Sequence, residues 1–250
     1  MFDALFTTTT EYQKLSHALS GKGACALFGL PASGRAQVYA ALCRQLDKPL
    51  CIVTPGEAEA TRFAADLNTL GIPAAVFPAR DYVLRPIEGT AREYEYRRLA
   101  VLGELVGGRL RAVAVPAEAL TQFTTPKEDF CANTRTLHAG DTLLRDDLLA
   151  ALFGAGYTRR AQVDGPGQFS VRGDIVDIFA PDQKMPVRME FWGDEIDTLH
   201  TFDLTTQRRE DAIDKFYLSP AREVLFGKPA DAAEPVSYTH LRAHETLSDL

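Results

Sequence analysis

The sequence is poor in the residues that carry most protein chemistry. Its 250 residues include four cysteines, five histidines, three methionines and one tryptophan. Cys25, Cys43, Cys51 and Cys131 form no C-x-x-C pair, and Cys25 and Cys51 lie inside apolar runs. The expectation is buried free thiols in a reducing cytoplasm. His17, His138 and His200 are isolated, so no nucleophile–base pair is apparent. The N-terminal Met1–Phe6, followed by four threonines, has no basic segment and no long apolar run. This excludes a recognisable secretory signal, and no stretch approaches membrane-spanning length.

An excess of positive charge is also missing. The net charge is −7, divided as +1 over residues 1–125, −5 over 126–210 and −3 over 211–250. A module that grips duplex phosphate by itself is normally basic over an extended surface. Autonomous DNA binding is therefore disfavoured, although Arg92, Arg97, Arg98, Arg109 and Arg111 could form a local basic face.

What is present in residues 1–125 is strand–helix alternation. Apolar runs at Ala24–Phe28, Pro49–Thr54, Ala74–Phe77 and Leu110–Val115 predict strands. Helices are predicted over Ala36–Leu46, over Gly56–Leu70, and from Thr90 to about Leu105. Such alternation predicts a parallel sheet covered on both faces, the α/β class. Gly29-Leu30-Pro31-Ala32-Ser33-Gly34-Arg35-Ala36 stands where a phosphate-binding loop would, between strand and helix. That motif needs lysine for the outer phosphates and a hydroxyl for magnesium. Here Arg35 and Ala36 occupy those places, so hydrolysis is not expected. A phosphate perched on the helix N-terminus and a turn kept for packing both remain open.

The pattern changes near Thr124–Asp129, and Asp141–Phe153 predicts one helix. Residues 156–203 then alternate apolar and charged residues at period two between glycine turns, with Gly193-Asp194 the sharpest hairpin signal. This predicts an antiparallel sheet with one wet face. Lys215–Glu223 reads as a strand that returns to the first sheet, which would make 126–210 an α+β domain inserted into an α/β domain. The expected division is 1–125, 126–210, a return segment 211–235, and a foreign-looking tail 236–250 set aside from the functional argument. His240 and His244 in that tail have no second ligand set, so a zinc site is not expected.

The wet face carries no catalytic constellation. The carboxylates of Asp174, Asp177, Glu190, Asp194, Glu195 and Asp197 fall mostly at turns or outward positions, as on a solvated face. Arg159, Arg160, Arg172 and Arg188 have two readings. Arginines on a sheet face anchor interfaces by forking onto a partner's carboxylates, with Phe169 and Phe179 as apolar anchors. Alternatively, the arginines pair internally with Asp177, Glu190 and Asp194 while the aromatics fill the core.

The run Gly156-Tyr157…Arg159, Gly167–Phe179, Pro186–Phe191, Gly193–Asp197, Phe202-Asp203, Gln207-Arg208 and Pro220–Glu223 closely resembles the N-terminal part of the bacterial transcription-repair coupling factors, the Mfd family. A weaker resemblance extends over residues 20–125, including Phe77-Pro78-Ala79-Arg80-Asp81. It implies a UvrB-like module: a RecA-like domain with a degenerate loop at Gly29, Gly34, Arg35 and Ala36, and an inserted domain that binds UvrA. The matching UvrA-contact positions are Arg159, Phe169 and Arg172, with Arg160, Asp177 and Arg188 as neighbours. The resemblance also implies intramolecular masking of that surface by the rest of a longer protein. Contacts with RNA polymerase and DNA, and ATP-driven translocation, would belong to parts beyond this chain, which looks like a truncated gene fragment. No cofactor, metal or membrane contact is expected. The rival expectations are a UvrB-type or helicase-type nucleotide-binding enzyme, and a structural or autoinhibitory domain.

Overall fold

The computed structural model describes residues 7–21, 24–46, 48–80 and 92–223. Contacts divide the chain into one unit of Met1–Cys131 with Ala180–Met185, and another of Ala132–Phe179 with Pro186–Leu250. The expected helix start at Thr90 and the tail 236–250 lie outside the described residues.

In the first unit, strands β1 (Leu50–Thr54), β2 (Ala74–Val76) and β3 (Ala112–Pro116) form a parallel sheet in the order β1-β3-β2. Every residue of β3 is buried, as the central strand of a covered parallel sheet should be. Helix α1 (Thr10–Ser20) begins where the Thr9 hydroxyl accepts the Tyr12 N–H at 3.3 Å. Its Tyr12 packs with Val38, Ala41 and Leu42 of α2 (Ala32–Gln45). Helix α3 (Glu57–Thr69) buries Ala60, Ala64 and Leu67, a spacing that places all three on one stripe. Helix α4 (Glu93–Val106) buries Leu99, Val101 and the whole of Arg98. Arg98 donates to the Pro78 carbonyl at 2.8 Å and to Gln122 Oε1 at 3.3 Å, with its guanidinium 4.0 Å above the Phe77 ring. Two short helices follow, α5 (Ala117–Leu120) and α6 (Lys127–Ala132).

One expected strand does not form. Ala24–Phe28 is an exposed, unpaired run, with Phe28 88 % exposed. An apolar run favours burial, but it does not supply the neighbouring edge that a hydrogen-bonded ladder requires.

The second unit is mainly antiparallel. Strands β5 (Thr158–Arg159), β6 (Gln168–Arg172), β7 (Ile175–Phe179), β8 (Val187–Trp192), β9 (Glu195–Phe202) and β10 (Arg209–Ala212) lie in the order β10-β9-β8-β7-β6-β5. Only the short β5–β6 pair is parallel within this sheet. Gly173 and Gly193 turn the β6–β7 and β8–β9 hairpins with φ of +60° and +63°, where a Cβ would be strained. Helix α7 (Arg145–Gly154) buries Leu148 and Leu152, and Phe153 meets Phe169 edge-to-face. It starts four residues later than the sequence predicts. The backbone of Asp141–Leu143 is already bonded to β9, with Ile196 donating to the Asp141 carbonyl and Leu143 donating to that of Asp194.

The return segment also differs from expectation. β11 (Lys215–Leu218) does not rejoin the first sheet. It pairs antiparallel with β4 (Arg135–His138) inside the second unit, with Phe216 opposite Leu137. The Ala221 N–H donates to the Ala155 carbonyl, and the Tyr157 hydroxyl donates to the Ser219 carbonyl at 2.8 Å. Gly156, at φ +85°, lets Arg222 pass where any Cβ would collide with it.

Candidate partner-binding site

Alternation along the hairpin strands sorts the second unit's polar residues onto one face. Register aligns Ser170 with Asp177, Asp177 with Arg188, and Arg188 with His200, so these four form a row across β6–β9. Asp177 is its hub and is fully buried. It accepts from Arg188 Nε at 2.7 Å and Arg188 Nη2 at 3.0 Å, and from Arg172 Nη2 at 2.6 Å. The Arg188 guanidinium lies 4.7 Å from the Phe202 ring centre and donates to the Gln207 carbonyl at 3.2 Å. One carboxylate thus holds two guanidinium groups, leaving the cluster net positive.

The two arginines are not equivalent. The Arg188 side chain is 10 % exposed, and that of Arg172 is 47 % exposed. Arg188 is a structural partner for Asp177. Arg172 shares the same carboxylate through one nitrogen while much of its fork faces outward, a geometry that still offers donors. Ser170 Oγ, His200 Nδ1 and Gln207 Oε1 are buried on or beside this row without a protein partner. Gln207 itself has φ +59° in the turn over the row.

Arg159 and Arg160 are exposed at the sheet edge. Register places Arg159 beside Phe169, while the Arg160 N–H donates to the Phe169 carbonyl at 2.8 Å. Alternation therefore puts Arg160, rather than Arg159, on the side of Ser170 and Asp177. Phe169 is fully buried and so cannot itself be a surface contact. The exposed ring at this place is Phe153, 55 % exposed, with its centroid 5.2 Å from that of Phe169. The sequence reading missed Phe153. The sequence carried no such signal, because Leu149, Leu152 and Phe153 fall at i, i+3 and i+4 and read as one apolar stripe.

The glycine-rich turn in the first unit is differently built. No described strand precedes it, and α2 begins at Ala32, only three residues after Gly29. The Gly34 and Arg35 amides bond back to the Pro31 carbonyl. Arg35 reaches Glu59 at 3.8 Å on the surface, and Ala36 is buried. The adjoining groove, about 290 Å³, is lined chiefly by Tyr12, Leu15, Leu27, Leu30 and Val38. That lining suits hydrocarbon better than phosphate. Among the described residues, no group of three or more His, Cys, Asp or Glu could hold a metal ion, and no helix is long and apolar enough to cross a membrane.

Residues 136–224 match the model of the UvrB interaction domain. The chain is also similar to curated proteins described as transcription-repair-coupling factors. It is 34 % identical to that of Mycobacterium tuberculosis (strain CDC 1551 / Oshkosh) over 255 aligned positions, covering 98 % of this chain and 20 % of the relative. The Myxococcus xanthus protein is 34 % identical over 226 positions, 86 % of this chain and 18 % of the relative. The Bacillus subtilis (strain 168) protein is 28 % identical over 209 positions, 83 % of this chain and 18 % of the relative. The chain thus spans about a fifth of the length of these relatives. By these matches it belongs to the transcription-repair-coupling factor family and contains that UvrB interaction domain.

Proposed function

We propose that this chain is a non-catalytic adaptor that recruits UvrA through the second unit, linking a stalled RNA polymerase to nucleotide excision repair in the cytoplasm. The observation that carries this reading is the Asp177 hub, which fixes Arg172 half in solvent on a rigid hairpin sheet. Arg160 is exposed at the neighbouring edge on the same side of the sheet, and Arg159 and the open Phe153 ring are exposed at that edge on the Phe169 side. Arginine with an exposed aromatic on a fixed scaffold is the combination that dominates binding energy at protein interfaces. Asp177 and Arg188 position Arg172, and Phe169 backs Phe153. Translocation, ATP hydrolysis and contacts with polymerase and DNA belong, in this proposal, to the remaining four-fifths of the full-length protein. That remainder also masks the UvrA surface until it is needed. The first unit acts as a RecA-like support with a chemically dead loop.

Replacing Arg159 and Arg172 together by alanine tests the reading. Asp177 keeps two bonds from Arg188 in this variant, so the fold should survive. Loss of two interface arginines should weaken UvrA binding by about 2–4 kcal/mol in calorimetry. A second reading, a purely structural pair, is favoured by the Arg172–Asp177 bond itself. It predicts lost stability with UvrA affinity unchanged.

A further inference from the structure

Among the described residues of the second unit, the most exposed large apolar side chain is Trp192, 82 % exposed at the end of β8. Phe191 beside it is buried opposite Ile196, so alternation turns Trp192 to the other side of the sheet. That is the side of Glu190 and Arg188. Register runs from Arg172 to Ile175 and from Ile175 to Glu190, two residues before Trp192. Two strand spacings and two residues of rise put the Arg172 and Trp192 Cα atoms roughly 12 Å apart. Both therefore fall within one docking footprint of ordinary size.

The backbone beside Trp192 is hydrogen-bonded to the neighbouring hairpin. The Phe191 N–H donates to the Asp174 carbonyl at 2.8 Å, and Arg145 clamps the neighbouring turn through the Gly173 carbonyl at 2.8 Å and Asp174 at 3.3 Å. Asp194 and Glu195 are exposed in the turn and strand that follow Trp192, whereas Asp174 pairs with Arg145 and Glu190 with Arg209. The face is thus bipolar, with guanidinium groups at the Arg160–Arg172 end and the exposed carboxylates of Asp194 and Glu195 at the tryptophan end. Such a pattern fixes the orientation of a partner of opposite polarity.

We propose that Trp192 is the aromatic anchor of the UvrA-facing surface, seating its indole in an apolar pocket bordered by basic side chains, while acidic groups on the same partner meet Arg172. The inference rests on the adaptor reading above and continues the Arg172 face.

Trp192 is the chain's one tryptophan, so incorporating 5-fluorotryptophan gives a single fluorine resonance from the otherwise unaltered protein. Purified UvrA should shift or broaden that resonance. Trp192→Ala should weaken UvrA binding about thirtyfold or more, as an interface hot spot does, and Trp192→Phe should restore much of it. An unmoved resonance in a complex that does form overturns the anchor. Unchanged affinity of Trp192→Ala, with the Arg159→Ala/Arg172→Ala variant impaired, overturns it while leaving the adaptor reading intact. Full affinity in both variants removes the Arg172 face as the UvrA site, and the anchor with it. A resonance that moves with the chain's own concentration, before UvrA is added, assigns the patch to self-association and also overturns it.

Discussion

In the glycine-rich turn of the first unit, Arg35 meets Glu59 at 3.8 Å with both side chains open to solvent. On the hairpin sheet of the second unit, Arg172 meets Asp177 at 2.6 Å, and that carboxylate is fully buried. Both are arginine–carboxylate pairs, and the physical consequences differ. An exposed pair at that distance contributes roughly 0–1 kcal/mol and holds neither side chain in place. A buried carboxylate cannot remain unpaired, so it fixes the guanidinium groups around it. The first arrangement decorates a turn. The second presents an arginine in one orientation, which is what a docking surface requires.

The comparison breaks most readily at the hub. Asp177→Ala leaves Arg188 buried with no carboxylate, and should lower unfolding free energy by about 3–5 kcal/mol in urea titrations. A loss below about 1 kcal/mol would show that the hub supports little. Phe169→Ala should have a similar effect, about 3–5 kcal/mol, because it empties a core site. Phe153→Ala should cost less than about 1.5 kcal/mol of stability, an edge-to-face contact, and yet weaken UvrA binding. Equal stability losses at the two phenylalanines would contradict their assigned roles.

Smaller effects sharpen the contrast. Arg35→Ala should change stability by less than about 1 kcal/mol and leave UvrA affinity unaltered. The Asp203 carboxylate accepts from the Thr206 N–H and hydroxyl, and these bonds hold its pKa below the ordinary carboxylate value. Its contribution is present above the unfolded-state pKa and is lost as pH falls through the lower folded value. The Asp203 carboxyl signal should therefore titrate below the usual aspartate range, by carbon NMR, and move up in Thr206→Ala.

The hairpins were legible because their signals are local. Gly173-Asp174 and Gly193-Asp194 demand turns, and period-two alternation then sets which residues share a face. Pairing partners distant in sequence were not legible. Nothing in Lys215–Leu218 names Arg135–His138 as its neighbour, and nothing in Ala24–Phe28 reveals that no ladder awaits it. Burial on the polar face was also hidden. Alternation assigns Ser170, Asp177 and Arg188 to a wet face, yet the side chain of Arg172, the ring of Phe202 and the turn at Gln207 lie against that row. The arginine positions were visible in the sequence. Which of them face solvent was not, and neither was the exchange of Phe169 for Phe153 as the exposed ring.

Amide hydrogen exchange of the chain with and without UvrA tests the central claim most directly, because it observes both regions at once. The account predicts that UvrA slows exchange across residues 157–174 and leaves residues 29–45 unchanged. Protection confined to 29–45, or no protection at 157–174 in a complex that demonstrably forms, would contradict it.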